Sequence, residues 1–371
     1  MLKETEMTLV LNDKDVASVL TMKDCISALE DAFRDMGEGS VVNAPRRDSF
    51  LVSSRPDAYY SFKTIEGGLE RLGVVAQRIN SDLLTYPVVD GVARRVKVPV
   101  APGNRYVGLI FLYSSETIEL LAILNDGHLQ RMRVAGSTGV GARYLAREDA
   151  RTAALLGSGW QAETAAWALA EVRPLTTIRV FSPNRENRES FARKVASTLG
   201  IDVIPVGSTQ EAVRGADIVA CATNSHGPAP VVRGELVEPG THLTSILPSD
   251  FDNEGWQKSD FIVFSSPGGH GGHPTYTSGN PMLSSVRSDA NMAKWEEERF
   301  ERYKDKIYML SDLLVGKARK RTSADEITHM NKNWGLGIEF ASVAKLVYDR
   351  AKASGIGNEV PTEWFSQTSH P

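Results

Sequence analysis

Near the start of the chain, Met22, Cys25, Ile26, Leu29, Ala32, Phe33 and Met36 recur at intervals of three and four residues. That spacing keeps one helical face apolar and predicts an amphipathic helix over residues 21–37, with Gly37 and Gly39 as its terminators. The period then changes. Residues 59–64, 74–80, 106–113 and 119–124 alternate or run apolar, with Gly, Pro and Asp between them, which predicts strands and turns. Residues 129–147 return to a helical pattern but contain Gly136, Gly139 and Gly141. Glycine is a poor helix former, so these positions predict that something packs closely against that helix.

From Arg151 onward the rhythm is strand, helix, strand, helix. Apolar strands are expected at residues 152–156, 177–181, 203–205 and 218–222, separated by helices at 163–171, 185–199 and 209–213. Such alternation predicts an α/β domain, a doubly wound parallel sheet with helices on both faces. Further strands are expected at 241–247 and 261–264. Residues 265–288, rich in Gly, Ser and Pro, read as a long loop, and 290–306 as a charged, exposed helix. An apolar-striped helix is expected at 338–353, followed by a loosely docked tail.

The turn between the strand at 152–156 and the next helix reads Gly157-Ser158-Gly159-Trp160-Gln161-Ala162. A tight turn there aims backbone N–H groups and the positive end of a helix at one spot, which suits a pyrophosphate. Gly157 would make the turn, Gly159 would let the backbone approach the phosphate, and Ala162 stands where the pattern allows Gly or Ala. Ser158, Trp160 and Gln161 complete the expected cradle, and Thr223, just past the strand at 218–222, joins the cofactor candidates. The tip of the second strand carries Ser182, Asn184 and Arg185 and no carboxylate for a ribose 2′-hydroxyl. Arg185 could pair with a 2′-phosphate, so the tip favours NADP(H) over NAD(H).

Composition narrows the classes. The chain has 371 residues, 42% hydrophobic and 24% charged, enough for two domains with sizeable cores. A net charge of −4 gives no footprint for nucleic acid or an anionic membrane surface. Cys25 and Cys221 sit in apolar segments as small buried hydrophobes of a reducing compartment. Residues 1–8 lack an apolar signal core, and no run approaches the ~18 apolar residues of a membrane span. A cytoplasmic enzyme is expected. His270 and His273 flank glycines in a loop without a nearby third ligand, so no metal is expected.

Several ordered motifs carry a family resemblance. They are Gln130-Arg131-Met132-Arg133-Val134-Ala135, the run from Tyr144 to Arg151, Leu156-Gly157-Ser158-Gly159-Trp160-Gln161-Ala162, Ala212-Val213-Arg214-Gly215-Ala216-Asp217-Ile218-Val219 and Leu236-Val237-Glu238-Pro239-Gly240-Thr241-His242. Together they resemble the ornithine cyclodeaminase/mu-crystallin family. The resemblance implies a Rossmann-type NAD(P)-binding domain, residues 129–321. It also implies an α+β substrate-binding and dimerisation domain made of residues 1–128 and 322–371, hence a homodimer. Family members handle a carbon that alternates between amine and imine beside a carboxylate.

That chemistry needs a cation for the substrate carboxylate, and a planar guanidinium holds one in a bidentate grip. The resemblance implies Arg46 or its neighbour Arg47, and Arg133, as such clamps. It implies that Lys63 contacts substrate, and Lys63 lies in an aromatic strand-like run where a charge is costly without a function or a polar face. Asp250 resembles the family's proton-accepting Asp but stands one position late and lacks the preceding glycines. The segment at 328–335, around Lys332, departs from the family pattern too.

The expected activity is an NAD(P)-dependent oxidation or reduction at the C–N bond of a small amino or imino acid. Arg46, Lys63 and Arg133 would orient the carboxylate, and Lys63 or Asp250 would manage the proton. Two alternatives stand beside it. One is a redox-neutral ornithine cyclodeaminase with bound NAD; the other is a nucleotide-binding accessory protein without catalysis, which the altered segments around Asp250 and Lys332 would fit.

Overall fold

The computed structural model describes residues 6–89, 92–93, 95–223, 230–265, 275–276, 298–331 and 335–369. His270, His273 and Lys332 lie outside them. Two large sheets organise the chain. The first has ten strands, and its spine is the antiparallel pair Ala58–Leu69 and Val74–Thr85, with Lys63 opposite Asn80. Strand alternation sends Tyr59, Ser61, Lys63 and Ile65 inward, together with Ala76, Arg78, Asn80, Asp82 and Leu84 of the neighbouring strand. Phe62 and Val75 point the other way and remain exposed. Helix Gly337–Ser354 lies on the inner face, and Met22–Glu38 and Asp126–Leu145 pack beside it in one apolar core.

The second sheet is parallel and has eight strands. Its order runs Asp202–Pro205, Thr177–Phe181, Thr152–Leu156, Ile218–Cys221, His242–Ser245, Thr328–Asn331, Phe261–Phe264, Ile307–Met309. The chain winds one way from Thr152–Leu156 and then the other, so a topological switch point lies beside that strand, where doubly wound sheets take their ligands. Four of its strands are buried at every residue because helices cover both faces. The fold is therefore the expected one: a doubly wound parallel sheet joined to a second α+β unit.

The glycines of the helix Asp126–Leu145 have the expected cause. A side chain at Gly136 would run into Leu29 and Cys25, one at Gly139 into Ile26, and one at Gly141 into Met330. Gly37 differs from its expected role. It lies inside the helix Met22–Glu38, where a Cβ would come within 2.5 Å of the Ser311 carbonyl, so it serves close approach. Gly39, at φ +84°, is the terminator.

Other expectations are corrected by backbone pairing that a short segment does not advertise. Met7–Leu11 is a strand paired with Leu120–Asn125, and Asn358–Pro361 pairs with it as the sheet edge. The C-terminal tail is thus docked as far as Thr362, whose N–H donates to the Glu6 carbonyl at 3.0 Å. Within the expected loop, Thr275–Tyr276 pairs with Arg47–Val52. Thr328–Asn331 belongs to the parallel sheet, although the sequence reading returns the chain to the other domain at residue 322.

Candidate functional site

The turn after Thr152–Leu156 is built by glycine geometry. Gly157 has φ +122°, which side chains rarely tolerate, and a Cβ there would lie 2.5 Å from the Ala222 carbonyl. Its N–H donates to the Phe181 carbonyl at 2.8 Å, pinning the turn to the next strand. Ser158 and Ser182 share a hydroxyl hydrogen bond of 2.8 Å across the same gap. The helix Trp160–Val172 follows with Gly159 as its N-cap and no side chain capping it. Among the described residues, nothing beyond its chain neighbours lies within 4 Å of where a Gly159 Cβ would stand; Trp160 is exposed, and Ala162 is buried. The helix therefore presents uncapped N–H groups and its positive end to open space. Gln161 turns inward instead, and its Oε1 has no hydrogen-bond partner among the described residues.

At the strand tip, Asn184 caps the helix Arg185–Leu199, its Oδ1 accepting the Asn187 N–H at 2.8 Å. The Arg185 side chain is 79% exposed and pairs with Glu189 at 2.7 Å. Arg188, which the sequence reading passed over, donates to the Ser182 carbonyl at 3.0 Å and lies 5.8 Å from the Phe181 ring centroid. Its position one helical turn past Arg185 was the available signal.

The first sheet assembles a second polar cluster on its inner face. Lys63 is 3% exposed in the middle of its strand, directly across from Asp48 on one side and Asn80 on the other. Arg46 lies on the same side and grips Asp48 in bidentate fashion, Nε to Oδ1 at 2.8 Å and Nη2 to Oδ2 at 2.6 Å. Arg47 is exposed, so Arg46 is the arginine brought to Lys63. Asp82 receives two ammonium groups, Lys97 at 2.9 Å and Lys63 at 3.7 Å. Arg78 and Asn80 both donate to Asp126 Oδ2, at 2.7 and 3.0 Å.

Burial drives the Lys63 ammonium well below its usual pKa, helped by the Arg95 and Arg46 charges and opposed by Asp48 and Asp82. Burial pushes the Asp48 carboxyl up, but the Arg46 charge and hydrogen bond, with Lys63 and Arg95, outweigh it and hold it low. Lys97 is lowered by burial against the pull of Asp82. Asp48, Asp82 and Lys97 were missed in the sequence. Their signal was phase: residues 78, 80 and 82 are polar at the positions that Ala76 and Leu84 mark as inward.

Arg133 is buried and fully engaged by protein. Nη1 donates to Glu339 Oε2 at 2.8 Å, Nη2 and Nε to Gln130 Oε1 at 2.9 and 3.2 Å, and the guanidinium sits 4.6 Å from the Phe340 ring centroid. The open clamp expected from the motif is thus occupied by a carboxylate and an amide of the chain itself. Asp250 is 1% exposed. Its Oδ1 accepts the Thr223 hydroxyl at 2.7 Å, Oδ2 has no hydrogen-bond partner among the described residues, and burial raises its carboxyl to about 7. Thr223, expected at the cofactor, is bonded to this carboxyl. The described ion pairs join Lys63, Asp82 and Lys97, and strand pairing sets the Arg46–Asp48 pair beside Lys63; none of them brings Asp250 into the cluster.

Comparison with known proteins places the chain. A Δ1-pyrroline-2-carboxylate reductase from Bacillus cereus is 23% identical over 363 residues, 95% of this chain and 99% of that protein. The structure of Thermococcus litoralis Δ1-pyrroline-2-carboxylate reductase in complex with NADH and L-proline superposes with a TM-score of 0.74 at 26% identity, covering 95% of this chain and all of that one. An archaeal alanine dehydrogenase dimer with bound NAD shares the fold, with a TM-score of 0.72 at 23% identity, covering 95% of this chain and 99% of that one. The profile of the ornithine cyclodeaminase/mu-crystallin family matches residues 6–355. With a match of that extent, over both sheets and both polar clusters, the chain belongs to the ornithine cyclodeaminase/mu-crystallin family.

Proposed function

We propose that this protein is an NAD(P)-dependent imino-acid reductase, or amino-acid dehydrogenase, acting at the C–N bond beside a carboxylate. The observation that carries the reading is the buried Lys63, held among Arg46, Asp48 and Asp82 on the inner face of the substrate sheet. A reduced nicotinamide, when bound, supplies the hydride for the imine carbon. The residues at Gly157 to Ala162 fit a dinucleotide: the turn is built on glycine, and among the described residues nothing beyond its chain neighbours occupies the place of a Gly159 side chain, which leaves room for a phosphate.

The chain's own groups divide the remaining work. Arg46, which grips Asp48 beside Lys63, is one carboxylate clamp in this reading, and the Nε–Nη2 edge of Arg133, shared with the neutral Gln130, is the second. A carboxylate forms charge-assisted bonds about twice as strong as those of an amide oxygen, so it displaces Gln130 from that edge. Lys63, whose ammonium burial makes a stronger acid than usual, gives the proton to the imine nitrogen. Asp250 is not the proton carrier in this reading, because its carboxyl is buried against Thr223.

Arg185, with Arg188 beside it, and the lack of a carboxylate at the Ser182 tip support NADP(H) over NAD(H). A homodimer is supported by the outer face of the first sheet, where Leu51, Phe62, Val75, Val107 and Tyr113 are exposed together on the side away from the core. Its occupant is a second copy of the chain. Among the described residues no helix is long and apolar enough to cross a membrane, and both thiols are buried, which is consistent with a cytoplasmic enzyme.

The experiment is NADPH and NADH consumption by the purified protein against pyrroline-2-carboxylate, piperideine-2-carboxylate, and pyruvate or glyoxylate with ammonia or methylamine. Net consumption with one of them is expected, faster with NADPH. Nucleotide binding without consumption of any would sink the reductase reading in favour of redox-neutral deamination or a non-catalytic role.

A further inference from the structure

Reduction of an imine leaves a problem that the burial of Lys63 makes acute. The imine carbon takes a hydride, the C=N π pair moves to nitrogen, and that nitrogen takes a proton as one Lys63 N–H bond breaks. The product amine carries the proton away. Lys63 is then a neutral amine whose side chain is 4% exposed, and it must be recharged before the next turnover.

We propose that Asp82 and Lys97 form the proton-delivery path from solvent to Lys63. The inference rests on the reductase reading with Lys63 as proton donor. The three groups form a row from solvent to the interior: the Lys97 side chain is 41% exposed, while Asp82 at 1% and Lys63 at 4% are both buried. Lys97 Nζ lies 2.9 Å from Asp82 Oδ1. Lys63 Nζ lies 3.7 Å from Asp82 Oδ2, an atom that accepts no hydrogen bond among the described residues. That oxygen is buried, anionic and one small side-chain movement from Lys63. Asp48, the cross-strand neighbour of Lys63, cannot do the same, because Arg46 holds both of its oxygens.

The proton balance closes without another reactant. Lys97 passes a proton to Asp82 Oδ1, the carboxyl turns and gives it to Lys63, and Lys97 takes a replacement from water. The groups facing Lys63 are Asp82, Asp48, Arg46 and Arg95; those facing Lys97 are Asp82, Arg78 and Arg95. Among the described residues, the Asp82–Lys97 arm leads from Lys63 to a half-exposed amine that can exchange with water. Asp82 and Lys97 act through Lys63 and are positioning residues. Lys63 itself is the catalytic one.

The test compares wild type with Asp82→Asn, Lys97→Met and Lys97→Arg, using the imino acid that wild type reduces. Asp82→Asn is expected to lose about a hundredfold in kcat with little change in KM, and to recover as imidazole buffer is raised. Lys97→Met and Lys97→Arg are both expected to lose roughly tenfold and to respond to imidazole, since arginine keeps the charge but does not release a proton. A readout apart from turnover is the pH dependence of Lys63 acetylation by acetic anhydride in the substrate-free protein, which should move to lower pH in Asp82→Asn. Loss of activity in Asp82→Asn that imidazole does not restore would overturn the path, as would full activity of Lys97→Arg beside a slow Lys97→Met, which makes the pair a charge balance only. If wild type reduces no imino acid, the reductase reading has failed and the path falls with it. An active wild type with buffer-insensitive variants sinks the path alone.

Discussion

Arg133 meets Glu339, 206 positions later in the chain, at 2.8 Å with both side chains buried. The contact ties the helix Asp126–Leu145, which leads into the parallel sheet, to the helix Gly337–Ser354 that covers the first sheet. Glu339 is further held by the Ser137 hydroxyl and the Leu336 N–H, which adds two hydrogen bonds to the same junction. The residue expected to grip substrate is thus also a fastener of the fold.

Removing one partner of that pair leaves a buried charge. Glu339→Ala should cost about 3–5 kcal/mol of unfolding free energy, because the Arg133 guanidinium stays desolvated without its carboxylate partner. Urea denaturation followed by circular dichroism reads this directly. A loss below about 1 kcal/mol would mean that the pair is open to water in solution.

The two glycines of the nucleotide turn should separate fold from binding. Gly157→Ala forces a Cβ onto the Ala222 carbonyl at a φ of +122°, so it should lower both the melting temperature and dinucleotide affinity. Gly159→Ala has open space and an extended backbone, so the melting temperature should hold while NADPH affinity falls roughly tenfold or more. Calorimetry of nucleotide binding beside thermal melts checks both. Unchanged affinity in Gly159→Ala would take the phosphate away from this turn.

Cofactor choice should respond to the strand tip. Arg185→Ala is expected to reduce the preference for NADPH over NADH roughly tenfold, and Arg185→Ala with Arg188→Ala further still. The two nucleotide dissociation constants, measured at one ionic strength, decide it. An unaltered ratio would place 2′-phosphate recognition elsewhere.

Asp250 makes a pH prediction with a definite sign. Burial raises its folded pKa from the usual carboxylate range to about 7, so the native state holds a proton that the unfolded chain has lost. Its contribution is fully present below about pH 4 and declines as pH rises through about 7. Asp250→Asn mimics the protonated group. It should therefore match wild type below about pH 4 and exceed it by a few kcal/mol near pH 8. Equal stability differences at both values would show that Asp250 ionises normally.

Much of this was legible along the chain because it is local. The helical stripe from Met22 to Met36, the strand–turn–helix around Gly157 and the strand–helix rhythm after Arg151 depend on neighbours within a few residues. The crowding that explains Gly136, Gly139 and Gly141 was readable as a demand, though not which side chains would make it. The inward phase of Arg78, Asn80 and Asp82 was present in the alternation but gains meaning only once Lys63 is known to lie on the neighbouring strand.

What the sequence by itself determined is therefore most of the element types, the glycine turn after Thr152–Leu156 and the family to which the chain belongs. Tertiary structure alone decided the partners. It set Asp82 between Lys63 and Lys97, gave Arg133 to Glu339, turned Asp250 into the core beneath Thr223, and docked the tail on the first strand. The physical reason is that backbone periodicity follows from short-range sterics and hydrogen bonding, whereas the fate of a charge follows from which opposite charge is brought near it away from water.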